Sequence, residues 1–153
     1  AITYRVLDHY MGAPAWDWLG GWTAVKERGD RSLADFEARQ ASERNADSRP
    51  SLPLDAYATT YRDAWYGDID ITDEGGKLVI RFSRSPDLVG DLEHWQYDTF
   101  LIRWRLRELR ADAFITFSLN PDGSVAQALL EPASPAVDFS YDFQDLVLKP
   151  VGR

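Results

Sequence analysis

The chain has 153 residues, which is enough for one domain, or one domain with an appendage, and for a sizeable hydrophobic core. Its 17 basic and 25 acidic residues give a net charge of −8, which repels phosphate backbones and anionic lipids and argues against a nucleic-acid partner. No run approaches the roughly 20 apolar residues that span a bilayer, and the lack of cysteine excludes disulfides and thiolate metal sites.

Residues 1–47 are predicted to form short helices separated by breaks. Apolar side chains recur at helical spacing in the first segment, at Ile2, Val6 and Tyr10. A second helix carrying Trp18 and Trp22 is predicted to end at Gly29, and a third to begin at the N-cap Ser32. We interpret these short helices as an appendage, because they do not form a bundle of their own.

Three tryptophans, Trp16, Trp18 and Trp22, lie in this helical region. Large aromatic side chains on a short helical appendage bury much area only when they meet another surface. We therefore predict that all three form an interdomain contact. The alternatives are that they fold back on the rest of the chain or meet a second copy.

A proline-rich stretch at residues 45–53 has the composition of a linker. The predicted domain boundary lies in it, between a helical appendage at residues 1–47 and an antiparallel β-barrel domain at residues 48–153. Beyond the linker, the spacing of apolar residues changes from about 3.6 to about 2 and stays there.

Alternating runs separated by turn residues predict about eight strands in the second part of the chain. The clearest strand places Phe100, Ile102 and Trp104 on one face and three arginines on the other, Arg103, Arg105 and Arg107. Those arginines are expected to pair with acidic residues of neighbouring strands. A chain reversal is expected at residues 87–90, a strand at 137–143 and a last short strand at 146–148.

Each predicted strand has one apolar and one polar face, so one side of the sheet forms the core and the other faces solvent. This pattern excludes a parallel α/β fold. Short turns and many strands favour a mainly β fold, an up-and-down antiparallel barrel, because closure removes the exposed sheet edges.

The order of several motifs resembles that of a recurrent C-terminal domain of unassigned function, which follows the catalytic domain in bacterial serine hydrolases of the β-lactamase and penicillin-binding class. The matching motifs, in order, are a helix, Asp17-Trp18, the proline linker, Tyr57-Ala58-Thr59-Thr60-Tyr61, Tyr66-Gly67, the run Leu92-Glu93-His94-Trp95-Gln96-Tyr97-Asp98-Thr99-Phe100, Thr116-Phe117 and Asp122-Gly123. The resemblance covers nearly the whole chain, and the run from His94 to Phe100 is its most specific part. Thr59 departs from it, since the family usually has glycine there.

The resemblance implies a lipocalin-like barrel and an upstream catalytic domain in the same polypeptide as its partner. The helices would then be the tail of that catalytic domain, and the parent enzyme would be periplasmic or secreted. The chain starts at Ala1 without an initiator methionine, which also leads us to expect a piece of a longer protein.

Five residues are candidates either for lining a ligand cavity or for packing, namely His94, Trp95, Tyr97, Phe100 and Trp104. Small barrels either fill with side chains or hold one small molecule. So many bulky aromatic side chains favour the filled barrel.

The catalytic chemistry of the related class needs a serine followed three residues later by lysine. The sequence has no such pair, and no Tyr-x-Asn, Lys-Thr-Gly or Gly-x-Ser-x-Gly element. His94 with Asp91 or Asp98 would supply part of a Ser-His-Asp arrangement or of a metal site, but a hydrogen-bonded structural histidine is favoured. We predict no catalytic residue, no cofactor and no metal.

Three functional hypotheses remain. The first is a non-catalytic C-terminal accessory domain of a β-lactamase-like serine hydrolase that shapes substrate access or interdomain packing. The second is a small-molecule-binding lipocalin-like barrel, and the third is an interaction module that forms a homodimer.

Overall fold

The computed structural model describes residues 1–152. They form two compact units, Ala1–Ser42 and a second unit that begins at Glu43. The second unit starts before the predicted boundary, so the proline-rich stretch belongs to it. Among the described residues, no helix combines the length and the apolar character needed to cross a bilayer.

The first unit contains two helices, α1 at Ile2–Met11 and α2 at Trp18–Glu43. Gly12 ends α1 in the left-handed region, with φ of 64°. Because α2 is continuous, the predicted break at Gly29 and the predicted N-cap at Ser32 are wrong. A glycine inside a helix costs about 1 kcal/mol relative to alanine but need not end the helix.

Aromatic stacking joins α1 to α2 within the helical unit. The Tyr4 ring lies 4.6 Å from the Trp18 ring and 6.0 Å from the Trp22 ring, measured between centroids. The indole Nε1 of Trp18 donates to Oδ2 of Asp8 at 2.5 Å, which gives the buried carboxylate of Asp8 a partner.

The second unit is a closed barrel of eight antiparallel strands, each paired with the next and the last with the first, which confirms the predicted mainly β, up-and-down barrel. The strands are β1 Thr60–Asp63, β2 Gly67–Asp73, β3 Leu78–Phe82, β4 Ser85–Gln96, β5 Thr99–Trp104, β6 Ala113–Leu119, β7 Val125–Pro132 and β8 Val147–Pro150. The seam is short. In it, β1 and β8 pair through Tyr61 with Pro150 and Arg62 with Lys149, and the N–H of Val151 donates to the carbonyl oxygen of Thr60 at 2.9 Å.

The predicted reversal at residues 87–90 is wrong, because β4 runs through it without interruption. Gly90 occupies an inward position in this strand. A Cβ atom there would lie 2.5 Å from Cγ2 of Ile102 and 3.0 Å from Cε3 of Trp104. Glycine is therefore present to admit the Trp104 ring and not to form a turn.

The predicted strand at residues 137–143 is also wrong. The chain there forms two short 3-10 turns, Phe139–Tyr141 and Phe143–Asp145. Asp142 joins them with a φ of 48°, a left-handed conformation that a strand does not use but that aspartate tolerates. Phe143 lies in the core and Val137 and Tyr141 pack against it, whereas Phe139 is exposed, so only part of the alternating pattern reflects packing against the barrel.

Rings in contact occupy much of the barrel interior. Phe117 lies 4.8 Å from Tyr57 and 5.8 Å from Phe100 between ring centroids. In a second group, Trp104 lies 5.8 Å from both Phe82 and Phe143. The buried indole of Trp104 donates to the carbonyl oxygen of Ala111 at 2.6 Å, so its polar atom is satisfied.

Replacing Gly90 with alanine is expected to destabilise the barrel by about 1–3 kcal/mol, because the new methyl group overlaps Ile102 and Trp104. The matched control is Gly152→Ala, where a Cβ atom meets nothing within 4 Å. Urea unfolding of both variants measures the effect. Equal stability of the two variants would contradict the close packing at Gly90.

Candidate functional site

The run from His94 to Phe100 forms the hairpin turn between β4 and β5. Pairing shifts register between His94 and Gln96, and Tyr97 adopts a φ of 47°. Such a conformation is uncommon for a residue other than glycine and marks a turn under specific constraint. Residues 44–52, which we call the strap, lie against this turn.

Arg44 fastens the beginning of the strap. Its Nε donates to the carbonyl oxygen of Trp95 at 2.7 Å, and its Nη2 donates to that of His94 at 3.1 Å. The guanidinium carbon also lies 4.6 Å from the centre of the Trp95 ring. One arginine thus satisfies two carbonyl groups and makes a cation–π contact with the turn.

The middle of the strap binds the tip of the turn. The backbone N–H of Asn45 donates to Oε1 of Gln96 at 2.9 Å, and its Nδ2 donates to the Tyr97 hydroxyl at 3.0 Å. In return, the backbone N–H of Tyr97 donates to Oγ of Ser48 at 2.9 Å. These bonds help to hold Tyr97 in its unusual conformation.

Asp98 is the centre of the site. Its carboxylate accepts from the backbone N–H of Ser51 at 2.8 Å, from the Ser51 hydroxyl at 2.7 Å and, through a short bond, from the Tyr57 hydroxyl. The Tyr57 hydroxyl itself accepts from the N–H of Leu52 at 3.1 Å. The backbone carbonyl of Asp98 accepts from Phe117 in β6 at 2.9 Å.

Partial burial acts to raise the pKa of Asp98, but the hydrogen bonds from Tyr57 and Ser51, with the nearby charge of His94, outweigh it and lower the pKa below its ordinary value. The pKa of Tyr57 is raised, first by burial and then by its hydrogen bond to Asp98. The aspartate is therefore held as an anion and the tyrosine as a neutral donor.

Ser51, Asp98 and His94 share this corner without forming a nucleophile relay. The Ser51 hydroxyl donates to the carboxylate, whereas Nε2 of His94 lies 2.9 Å from the carbonyl oxygen of Tyr97. In a relay, the serine hydroxyl donates to one nitrogen of the imidazole, and the carboxylate accepts from the other nitrogen. The described residues also contain no group of three histidines or carboxylates placed to hold a metal ion. This arrangement can hold the strap, and it provides no activated nucleophile.

One sequence element of the penicillin-binding class does occur, a Ser-x-Asn at residues 118–120. It lies at the end of β6, where Oγ of Ser118 donates to the carbonyl of Gln127 at 3.4 Å and Nδ2 of Asn120 donates to Oγ of Ser124 at 3.0 Å. Both side chains contact their own hairpin, and the chain has no Ser-x-x-Lys to accompany them.

Of the five residues predicted to line a ligand or to pack, His94 and Phe100 are in ring contact, at 5.6 Å between centroids. Phe100 and Trp104 lie buried inside the barrel. His94 and Trp95 are half-buried, with Trp95 against Phe114 at 5.2 Å, and Tyr97 is exposed at the turn. A ligand-lining role for these five residues stays a prediction.

The three tryptophans predicted to contact another domain all lie in the helical unit. Trp18 is half-buried against Tyr4, while Trp16 is 67% exposed and Trp22 is also exposed. Their role in an interdomain contact stays a prediction.

The three arginines pair with acidic residues, although only Arg103 lies in β5 and, of Asp112 and Asp91, only Asp91 lies on a neighbouring strand. Arg103 binds Asp112 at 2.8 Å, and Arg107 binds the same carboxylate at 2.7 Å. Arg105 binds Asp91 at 2.7 Å. All three guanidinium groups are therefore paired with carboxylates of the same chain. Exposed ion pairs of this kind contribute little to stability.

Sequence reasoning missed Asp63, a buried carboxylate at the end of β1. Its Oδ1 accepts from the N–H groups of Trp65 at 2.7 Å and Tyr66 at 2.9 Å, and its Oδ2 accepts from Val147 in β8 at 3.0 Å. An aspartate that precedes a turn could have predicted the first two bonds. The third joins residues far apart in the chain and has no local signal.

Replacing Tyr57 with phenylalanine is expected to lower the unfolding free energy by about 1–3 kcal/mol, because Asp98 loses a donor and the N–H of Leu52 loses its acceptor. The matched control is Tyr97→Phe, which loses one exposed bond from Asn45 and should cost less than about 0.5 kcal/mol. Urea unfolding distinguishes them, and equal losses would contradict the central position of Asp98.

Asp63 is expected to make the barrel sensitive to acid. Burial alone raises the pKa of Asp63, but the N–H groups of Tyr66, Trp65 and Val147 together lower it below the ordinary 3.8. The pKa of Asp63 is lower in the folded state than in the unfolded state. The stabilisation that Asp63 contributes is therefore complete above pH values near 3.8 and is lost as pH falls through the folded-state pKa.

Asp63→Asn should therefore reduce the free energy of unfolding at pH 7 by about 1–3 kcal/mol. It should also make the loss of stability between neutral and acid pH smaller than in the unsubstituted chain. Urea unfolding between pH 2.5 and pH 7 measures both effects. The control Asp87→Asn, at an exposed position of β4, should change stability at pH 7 by less than about 0.5 kcal/mol. An unchanged acid profile in Asp63→Asn would refute the role given to this carboxylate.

Two comparisons place this fold among known proteins, and no curated protein matches the chain. A solved structure described as the C-terminal domain of penicillin binding protein Rv0907 shares 23% sequence identity and superposes with a TM-score of 0.50, covering 70% of this chain and 93% of that one. At that identity, the likeness is one of fold.

The second comparison is with a family of domains. Residues 43–150 match the family described as Domain of unknown function (DUF3471), and the match begins at the residue where the barrel unit begins. It therefore includes the strap, the turn from His94 to Phe100 and all eight strands. The chain belongs to this DUF3471 family.

Proposed function

We propose that this chain is a non-catalytic C-terminal accessory domain of a larger serine hydrolase of the β-lactamase and penicillin-binding class. Family membership and the fold shared with the C-terminal domain of a penicillin-binding protein support this proposal. So does the absence from the sequence of Ser-x-x-Lys and Lys-Thr-Gly. The parent enzyme is proposed to be periplasmic or secreted.

The observation that carries the proposal is the apolar surface of the helical unit. Large hydrophobic side chains are exposed along both helices and between them, at Ile2, Tyr10, Met11, Trp16, Leu19, Trp22 and Val25. An apolar groove of about 690 Å³ runs between the start of α1 and the start of α2. Soluble monomers rarely expose apolar patches of this extent unless a partner covers them.

The proposed occupant of this surface is the catalytic domain upstream in the same polypeptide. Arg5 and Asp17 lie at the groove among the apolar side chains. An apolar centre with a few charged groups is the usual composition of a domain interface. The tryptophans would supply the anchors, because tryptophan is enriched among the residues that dominate interface energies.

The barrel unit would then act through its position. The turn at His94 to Phe100 binds the strap that follows α2, which fixes the path by which the chain enters the barrel. We propose that the domain boundary lies at the start of the strap and that the barrel shapes access to the active site of the parent enzyme. The ring contacts inside the barrel favour this role over an internal ligand cavity.

The double variant Trp16→Ser/Trp22→Ser in the full-length polypeptide tests the docking role. We expect it to lower the melting temperature of the catalytic domain by about 2–4 °C and to slow its acylation by a fluorescent penicillin. The control is Leu129→Ser, an exposed apolar position on β7. The isolated chain should take up no probe.

Three results would contradict the proposal. An upstream sequence without Ser-x-x-Lys would exclude the parent class. Unchanged activity and stability after deletion of residues 54–153 would exclude an accessory role. A dimer of the isolated chain that the double variant dissociates, with no effect in the full-length enzyme, would assign the helical surface to a second copy.

A further inference from the structure

The strap is held to the turn almost entirely by polar groups. Its anchors include the guanidinium of Arg44, the N–H of Asn45 and the N–H and hydroxyl of Ser51, as described above. Of its two aliphatic side chains, Leu52 packs against the barrel core, whereas Ala46 is exposed. Lifting the strap from the turn therefore exposes little apolar surface, and burial of apolar surface is the main force that holds a folded segment in place.

The bonds that close the strap lie at the surface of the barrel unit. Asn45 and Ser51 are exposed in the strap, and Tyr97 is exposed at the tip of the turn. Water competes for exposed donors and acceptors, so each of these bonds contributes little net stability. Few buried apolar contacts and many exposed hydrogen bonds are the features of a segment that opens by itself, at a lower free energy than the whole fold.

Closure of the strap also keeps the turn under strain. The N–H of Tyr97 donates to Oγ of Ser48 while Tyr97 holds a φ of 47°. This left-handed conformation is costly for a residue with a Cβ atom. The turn can relax when Ser48 leaves it, so the strain offsets part of the stabilisation that the bonds of the strap provide.

The turn has attachments to the barrel that do not involve the strap. The carbonyl oxygen of Asp98 accepts from the N–H of Phe117 in β6 at 2.9 Å, and its carboxylate accepts from the Tyr57 hydroxyl. His94 pairs with Phe100 across the hairpin of β4 and β5. These contacts remain when the strap is lifted, so the turn stays joined to the barrel.

We propose that the strap is a releasable latch, which opens as a unit while the turn and the barrel stay folded. Helix α2 ends at Glu43, and Arg44 is the next residue of the chain. In the closed state, the bonds from Arg44 to the carbonyl groups of Trp95 and His94 fix the path that the chain takes after the helix. In the open state, residues 44–52 become a tether that spans up to about 30 Å.

The latch gives the link between the helical unit and the barrel unit a fixed form and a flexible form. A partner that binds only the open form shifts the link towards the flexible one, by as much as its affinities for the two forms differ. All contacts of the latch lie within the barrel unit, which begins at Glu43, so the latch does not rest on the proposed function.

Native-state hydrogen exchange of the whole chain, followed by NMR, tests the latch. Four backbone N–H groups report on the strap, because each donates across its contacts, namely those of Asn45, Ser51, Leu52 and Tyr97. The N–H of Phe117 reports on the barrel. We expect exchange to be slowed by about 10-fold to 1000-fold in the strap and by at least about 10,000-fold at Phe117.

Urea distinguishes opening of the strap from unfolding of the barrel. The response to urea scales with the surface that an opening reaction exposes. In about 1 M urea, exchange at Phe117 should be faster by about fivefold or more, whereas exchange of the strap N–H groups should change by less than about twofold.

Two variants should weaken the latch. Ser51→Asp places a second carboxylate beside Asp98, and Arg44→Gln removes the guanidinium that binds the turn. Each should speed exchange of the Tyr97 N–H by about tenfold. This group is the readout because neither substitution changes its neighbours in the sequence, which set the exchange rate of the open form.

Each variant has a matched control. Ser32→Asp adds the same charge as Ser51→Asp at an exposed position of α2, and Arg49→Gln removes an exposed arginine from the strap itself. Both controls should change exchange of the Tyr97 N–H by less than about twofold.

Any of three results would overturn the latch. The first is exchange in the strap that rises with urea as steeply as exchange at Phe117, because the strap would then open only when the barrel unfolds. The second is exchange of the strap N–H groups as fast as in an unstructured peptide, because no closed state would then exist. The third is equal exchange of the Tyr97 N–H in the two latch variants and in the two controls.

Discussion

Asp98 joins its turn to segments that lie far from it in the chain. Its carboxylate accepts from Ser51 in the strap and from Tyr57 before β1, and its backbone carbonyl accepts from Phe117 in β6. The turn that carries Asp98 could not keep Tyr97 in a left-handed conformation without partners, because that conformation is costly for a side chain with a Cβ atom. The strap provides those partners, so the turn and the strap stabilise each other.

The same contacts engage the polar groups at the most specific run of the sequence. In a catalytic relay, the reactive group must be free of other strong hydrogen bonds and must face the substrate. Here Ser51 and Tyr57 both donate to the same carboxylate, and His94 faces a backbone carbonyl. Ser51 and Tyr57 are therefore engaged with the carboxylate of Asp98, and His94 is engaged within the turn itself.

Much of the fold could be predicted from the sequence, because alternation of apolar residues is set by each strand alone. The errors arose where a residue has two uses. Gly29 was interpreted as a helix end, although α2 continues through it, and Gly90 as a turn, although the Trp104 ring needs its space. At the site, the bonds between the strap and the turn could not be predicted, because they join residues far apart in the chain.

The proposed contact of the helical unit depends on one kind of force. Its surface is apolar, with Ile2, Trp16 and Leu19 all exposed, so the contact would be favoured by removal of area from water and would depend little on salt. A contact driven by burial suits a permanent neighbour in one polypeptide, which is the kind of partner proposed for this surface.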